Sequence, residues 1–350
     1  MAMNVAQKTM NSKENGERRS GVPPLSPLKS KRQDAASENP PKISVIMGVW
    51  NARASVGRAV ESILGQTFGD FEFLIVDDGS DDGSGAVLEE FARRDRRVRI
   101  LRQANAGLTC ALIAGCAEAR GEWIARQDAD DWSEPARLEK SLELARRHPD
   151  CMMVSSWTDY RGPAGELLDE VRRPEDPAEA TDGLLHRRMG PPAHGSVMFR
   201  RDAYESAGGY RREFYFGQDS DLWLRMALRG KITYAQETLY HYTLSPSAIS
   251  GRFGDVQRRF GEICQLCHAE RLGGGDDSRF LGELAALSDG LREKKSGGTS
   301  AAIAGSNYRI AVQLARRGDP SARRYFREAL RLQPLHWRAL ARLVALLFRK

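Results

Sequence analysis

No apolar run in this 350-residue chain approaches the roughly 18 residues that a membrane-spanning helix needs. The longest stretches, such as Leu-Val-Ala-Leu-Leu-Phe near the end, stop far short, and no span is expected. The start lacks the apolar core of a signal peptide. Residues 1–42 are instead polar, basic and rich in Pro and Ser, and are expected to form a disordered tail. Cysteine is sparse and odd in number, five in all, which suits free thiols in a reducing compartment and a cytoplasmic location. Cys264-Gln265-Leu266-Cys267-His268 has the spacing of covalent haem attachment. That chemistry would require export, so a helix with Phe260, Ile263, Leu266 and Cys267 packed inward is the preferred reading. The dinucleotide fingerprint G-x-G-x-x-G and the P-loop are both missing, and the turn after the first apolar run reads Gly-Val-Trp-Asn-Ala-Arg-Ala-Ser-Val-Gly. Any phosphate would therefore be held by other means.

What is present is an apolar fraction of 41%, enough for a sizeable core, and an uneven charge distribution. The net charge of +6 divides into +4 for residues 1–42, −7 for residues 43–250 and +9 for residues 251–350. An acidic middle argues against nucleic acid as a partner, whereas the basic ends could touch an anionic membrane leaflet. From residue 43 onward, short apolar runs (43–47, 71–76, 98–101, 122–127 and 151–156) alternate with segments of helical period. The alternation predicts a Rossmann-like α/β sheet of mostly parallel strands joined by helical crossovers. Residues 158–193, rich in Pro, Gly and charge, read as excursions around a site, and Ile232–Leu244 as closing strands.

The stretch 125–132, Ala-Arg-Gln-Asp-Ala-Asp-Asp-Trp, puts three aspartates in four positions. Crowded carboxylates repel and resist desolvation unless a cation joins them. Asp77 and Asp78 end the second expected strand, and Asp128, Asp130 and Asp131 end the fourth, at the carboxyl edge where open parallel sheets bind ligands. Hard oxygen ligands of this kind suit Mg²⁺ or Mn²⁺ completed by substrate phosphates.

Three segments together carry a resemblance: Pro41–Ser84, Asn105–Asp131, and His194–Met226 with its Gly-Gln-Asp-Ser-Asp-Leu-Trp. They resemble the family 2 inverting glycosyltransferases of the GT-A fold over about Ile43–Tyr242. The resemblance implies a Mg²⁺ or Mn²⁺ ion bridging to the diphosphate of a nucleotide-sugar, with UDP-sugars favoured. It implies a donor pocket formed by Gly48, Val49, Trp50, Asn51, Asp78, Asn105, Gly107, Asp128 and His194. Trp50 would pack on the base, Asp78 would contact base or ribose, and His194 would meet diphosphate or acceptor. Asp130 and Asp131 would lie nearest the metal, and Asp219 would be the catalytic base. Gln218 stands where the family often has Glu, and Ile113 where it often has Asn.

The expected organisation is thus a tail (1–42), a GT-A domain (43–250) and a helical C-terminal region (251–350). Within the last, Ala322, Phe326, Ala329 and Pro334 have the spacing of the second helix of a tetratricopeptide repeat. The final helix sets Arg331, Arg338, Arg342 and Arg349 opposite Trp337, Leu340, Val344 and Leu347, a pattern equally open to peripheral membrane contact at the inner face and to packing against the catalytic module. The acceptor would be the hydroxyl of a glycan, a lipid-linked sugar or a protein. Two other readings stay open, a sugar-phosphate nucleotidyltransferase and a non-catalytic nucleotide-sugar-binding scaffold.

Overall fold

The computed structural model describes residues 39–245, 254–292 and 300–347. Most of the expected tail, the expected boundary at residue 250 and Arg349 lie outside them.

The chain opens with β1 (Ile43–Val49), α1 (Val56–Leu64), β2 (Phe71–Asp77), α2 (Ser84–Arg94), β3 (Val98–Arg102), α3 (Leu108–Ala117) and β4 (Trp123–Arg126). These strands pair in parallel in the order β3-β2-β1-β4, with Ile46 opposite Arg126. They read as continuous apolar runs because both faces are covered. Ile43, Val45 and Met47 pack into one buried cluster with α1, while Ile46, Leu74 and Ile124 pack into another with α3.

Beyond β4 the chain departs from simple alternation. There follow β5 (Trp132–Ser133), α4 (Arg137–Arg147), β6 (Cys151–Arg161), β7 (Leu167–Val171), α5 (Pro177–Arg187), a 3-10 turn (His194–Ser196), β8 (Met198–Arg200), α6 (Arg201–Ser206), α7 (Gln218–Ala227) and β9 (Lys231–Thr243). The order continues β4-β8-β6-β9-β5, and β7 adds to β6. The β8 strand runs antiparallel to both neighbours, so the strand beginning at Cys151 does not lie beside β4 and the sheet is mixed. The strand-like run Ser196–Arg200 supplies β8, and its antiparallel place between β4 and β6 is set by long-range pairing that no periodic signal carries. The stretch 158–193 is also more regular than an excursion. The second half of β6 turns through Gly162–Gly165 into β7, and Asp176 caps α5 by accepting from the Glu179 amide at 2.8 Å, with Pro177 in the first turn.

The C-terminal helices are α8 (Gly254–Leu272), α9 (Ser278–Arg292), α10 (Ser300–Arg316), α11 (Ala322–Leu332) and α12 (Trp337–Leu347). Phe260, Ile263, Cys264 and Cys267 of α8 and Leu284 of α9 enter the same cluster as α3 and α7, while Leu266 is exposed, against expectation. His268 bonds the Leu185 carbonyl at 2.9 Å. The pair α10 and α11 packs against Leu168 of β7 through Ile310, Leu314, Phe326 and Ala329. On α12 the inward residues are Ala339, Leu343 and Leu346, and the expected apolar face of Trp337, Leu340 and Val344 is exposed.

An ion-pair cluster fastens α7 to the helical extension. Asp221, fully buried, pairs with Arg225 at 2.8 Å, Arg271 at 3.2 Å and Arg211, and Arg211 and Arg271 both reach Asp277. Burial alone would raise the Asp221 pKa, but the Arg225 and Arg211 charges outweigh it and hold the group below its ordinary value. Replacing Asp221 by Ala would leave Arg225 without a carboxylate partner and Arg211 and Arg271 sharing Asp277 alone. The variant is expected to lose about 3–5 kcal/mol of stability, read as a lowered midpoint in urea unfolding.

Candidate functional site

The carboxyl ends of β1, β2 and β4 open onto one edge of the sheet, and their loops are laced together. The Asp78 amide donates to the Val49 carbonyl at 2.8 Å. The Asp78 carboxylate accepts from Gln103 Nε2 at 2.6 Å and from the Ala106 and Gly107 amides, each at 2.9 Å. Burial pushes Asp78 above the ordinary carboxylate range, against these hydrogen bonds. Asn51, at φ 49°, donates from Nδ2 to Asp81 Oδ1 at 2.8 Å and accepts at Oδ1 from the Asp81 amide at 2.9 Å. A Cβ on Gly48 would lie 2.8 Å from Leu108, and one on Gly107, at φ 87°, would lie 2.9 Å from the Tyr215 ring. Gly48, Val49, Asn51, Asp78 and Gly107 therefore shape this half of the crevice. Trp50, 51% exposed, and Asn105 are open to solvent.

At the end of β4 the aspartates divide. Asp131 was expected beside the metal, but both of its oxygens are engaged, one by Tyr240 Oη at 2.8 Å and the other by the Thr243 amide at 2.7 Å. The fully buried Asp131 fastens the loop to β9 and turns away from the ligand role. Asp128 and Asp130 stay half-buried. Asp128 accepts from Arg126 Nη2 at 2.7 Å. Burial and the neighbouring Asp128 charge push Asp130 up to about 6, against the opposing pull of Arg58. Two close carboxylates, one of them short of compensating charge, fit a Mg²⁺ or Mn²⁺ ion that takes its other ligands from phosphate and water.

Arg126 organises this half. Its guanidinium is fully buried and donates to the Ile46 carbonyl, to the Gln127 carbonyl at 3.2 Å and to Asp128. Its Nε lies 3.4 Å from His194 Nε2, which is also 2.7 Å from Tyr210 Oη. Burial and the Arg126 charge hold His194 well below its ordinary pKa, so the ring is neutral. Its edge contacts with Tyr210 and Trp223 make it part of the wall.

Asp219 sits half-buried in the first turn of α7, after Gly217 at φ 69°. Its Oδ1 accepts from the Ser220 amide at 2.7 Å. Burial raises its pKa despite that bond, and the Asp128 charge adds to the rise, so the two carboxylates sense one another. Beside Asp219 opens a cavity of about 250 Å³, lined also by Tyr160, Arg173, Pro192, Trp223 and Gln265. The structure thus brings Asp128 and His194 onto Arg126, with Asp130 and Asp219 each within electrostatic reach of Asp128.

The chain is similar to EpsE of Bacillus subtilis (strain 168), which is named as a glycosyltransferase, with 34% identity over 209 residues, 57% of this chain and 72% of that protein. A family model described as Glycosyl transferase family 2 matches residues 44–208. The chain belongs to glycosyl transferase family 2. Among solved structures, a mannosyltransferase from Pyrobaculum calidifontis in complex with GDP-Man and Mn²⁺ aligns with TM-score 0.51 and 18% identity over 88% of this chain and 85% of that one. Residues 1–349 of S. aureus TarS align with TM-score 0.50 and 16% identity over 87% and 88%. These likenesses show the GT-A fold, here followed by C-terminal helices.

In this family 2 glycosyltransferase, reading the sequence missed Arg126, Tyr240 and the His241 clamp. An arginine inside the strand run Trp123–Arg126 is the signal that was available, since a charge there must find partners. His241 lies between Asp159 at 2.6 Å and Glu134 at 2.7 Å and stacks on Trp132, the residue after Asp131. Burial opposes the charged ring, but the two carboxylates outweigh it and raise the pKa above 6.5. The stabilisation is complete below the unfolded histidine pKa and disappears as pH rises through the folded value. Thermal melts of the wild type should fall between pH 6 and 9 more steeply than those of His241→Gln, and equal slopes would remove the clamp from the account.

Proposed function

We propose that this protein is a metal-dependent, inverting glycosyltransferase that moves a sugar from a nucleotide-sugar to an acceptor hydroxyl. The observation that carries the reading is the meeting of Asp128, Asp130 and Asp219 in one crevice, where burial and, in addition, the Asp128 charge raise the proton affinity of Asp219. A carboxylate of raised pKa can take the acceptor proton as the hydroxyl oxygen attacks the anomeric carbon, and a single displacement inverts that carbon. Asp128 and Asp130 would hold Mg²⁺ or Mn²⁺, which when bound offsets the charge of the departing nucleoside diphosphate. Arg126 keeps Asp128 in place, and Trp50, Asp78, Asn105 and Gly107 frame the nucleoside. The fold neighbour solved with GDP-Man and Mn²⁺ supports a metal-bridged donor. Of the nucleotides, UDP is the first candidate.

We further assign the work to the cytoplasmic face of a membrane, in cell-surface or extracellular glycan synthesis, with residues 43–250 as the catalytic domain. Among the described residues no helix is long and apolar enough to cross a membrane. The exposed Trp337, Leu340 and Val344 on a region of charge +9 support peripheral contact with an anionic leaflet. Sedimentation with phosphatidylglycerol vesicles should fall at least severalfold for Trp337→Ala combined with Leu340→Ala, and unchanged sedimentation removes this contact.

Calorimetric titration of UDP, GDP and CDP, each with Mn²⁺ and with EDTA, tests the donor site. One nucleotide should bind with Mn²⁺ and fail with EDTA, and Asp130→Asn should weaken that binding roughly 10–100-fold. Asp219→Asn should bind the nucleotide normally while transfer falls by roughly 10²–10⁴. Binding that ignores EDTA would favour a scaffold, and nucleotide transfer onto a sugar phosphate would favour a nucleotidyltransferase.

A further inference from the structure

The cavity beside Asp219 has two features that the donor half of the site does not use. Arg173 and Arg188 both line it, and among the described residues neither pairs with a carboxylate. Trp223, 3% exposed, lines it too, and its indole Nε1–H is buried without a hydrogen-bond partner. An orphaned buried donor costs free energy until a ligand or water accepts from it.

Arg173 is also held in place. Its carbonyl accepts from Trp157 Nε1 and Gln236 Nε2, each at 3.0 Å. Its guanidinium donates to the carbonyls of Gly190 and Arg172, again at 3.0 Å, and these carbonyls leave its positive charge uncompensated. Tyr160 and Pro192, which also line the cavity, are joined by a hydrogen bond from Tyr160 Oη to the Pro192 carbonyl. Arg188 ends α5 in the left-handed region, at φ 55°, and is exposed.

We infer that this cavity is an acceptor subsite for a sugar or polyol bearing an anionic group. Arg173 and Arg188 bind a carboxylate or phosphate next to the hydroxyl that faces Asp219, and Trp223 Nε1–H donates to a neutral oxygen of the same unit. Charge-assisted hydrogen bonds from guanidinium to such anions are the strong class. The assignment rests on the glycosyltransferase reading and specifies the acceptor that reading leaves open.

The test uses the full chain in EDTA, so that phosphate cannot bind through metal. Saturation-transfer NMR titrations compare glucuronic acid with glucose and glycerol 1-phosphate with glycerol. At least one anionic probe should bind roughly tenfold or more tightly than its neutral counterpart. The pair showing the preference identifies carboxylate or phosphate as the natural group. Arg173→Gln combined with Arg188→Gln should reduce the preference to near unity, and Trp223→Phe should weaken charged and neutral probes alike. Equal binding of charged and neutral probes, binding of none, or a preference that survives the double arginine variant would overturn the inference. The nucleotide titration of the unmodified protein runs in parallel. Nucleotide binding without anion preference removes the acceptor assignment alone, whereas anion preference without nucleotide binding removes the glycosyltransferase reading instead.

Discussion

The site depends on one buried cation. Arg126 ends β4 with no exposed surface, and a guanidinium in that position is tolerable only if nearly every donor finds an acceptor. The Ile46 carbonyl, the Gln127 carbonyl and Asp128 supply them. The first is available because Ile46 stands opposite Arg126 in the parallel register of β1 and β4. A slip of one residue would carry Arg126 to the other face of the sheet and release Asp128. The position of one carboxylate in the crevice is therefore set by strand pairing through the core, and His194 follows through its contact with the same guanidinium and Tyr210 through its bond to His194.

The mixed half of the sheet serves the same crevice from the other side. By running antiparallel, β8 brings the preceding 3-10 turn with His194 to the end of β4. The long β9 returns past the loop after β4, where Tyr240 and Thr243 take both oxygens of Asp131, and His241 stacks beneath Trp132. Arg58 closes the loop by donating to the Asp130 carbonyl at 3.1 Å while lying 4.0 Å over the Trp132 ring. A loop with this many anchors presents Asp128 and Asp130 with little conformational entropy left to lose on binding, which is the preorganisation that a site for a charged ligand needs.

Much of this was legible in the sequence where periodicity and punctuation were strong. The parallel strands from β1 to β4 are apolar throughout and bounded by turn residues, and the aspartates at their ends mark the crevice. What escaped was decided by partners distant in the chain. The hairpin of β6 and β7 hid behind a Gly-Pro-Ala-Gly turn, and the antiparallel insertion of β8 between β4 and β6 left no mark on the sequence. Asp131 looked like its neighbours until the structure supplied Tyr240, more than a hundred residues away. The outward turn of Trp337, Leu340 and Val344 likewise depends on which face α11 covers, and the helix pattern alone permits either.

Asp219 and Asp221 show most plainly where sequence reading stops. Both are aspartates in the first turn of α7, under the same helix dipole and two residues apart. Two positions on a helix differ by about 200° of rotation, so one faces the crevice when the other faces the core. The surroundings then drive their chemistry apart. Burial, with the Asp128 charge adding to it, raises Asp219 and suits it to accept a proton, while Arg225 and Arg211 outweigh burial at Asp221 and hold it low as a clamp. The clamp also fixes the rotation of α7, because Asp221 can meet Arg225, Arg211 and Arg271 together only in one setting of the helix. Since Arg271 belongs to α8, the orientation of the proposed base is held in part by the C-terminal helices. These helices are thus joined mechanically to the site, a role that neither their composition nor their repeat-like spacing foretold.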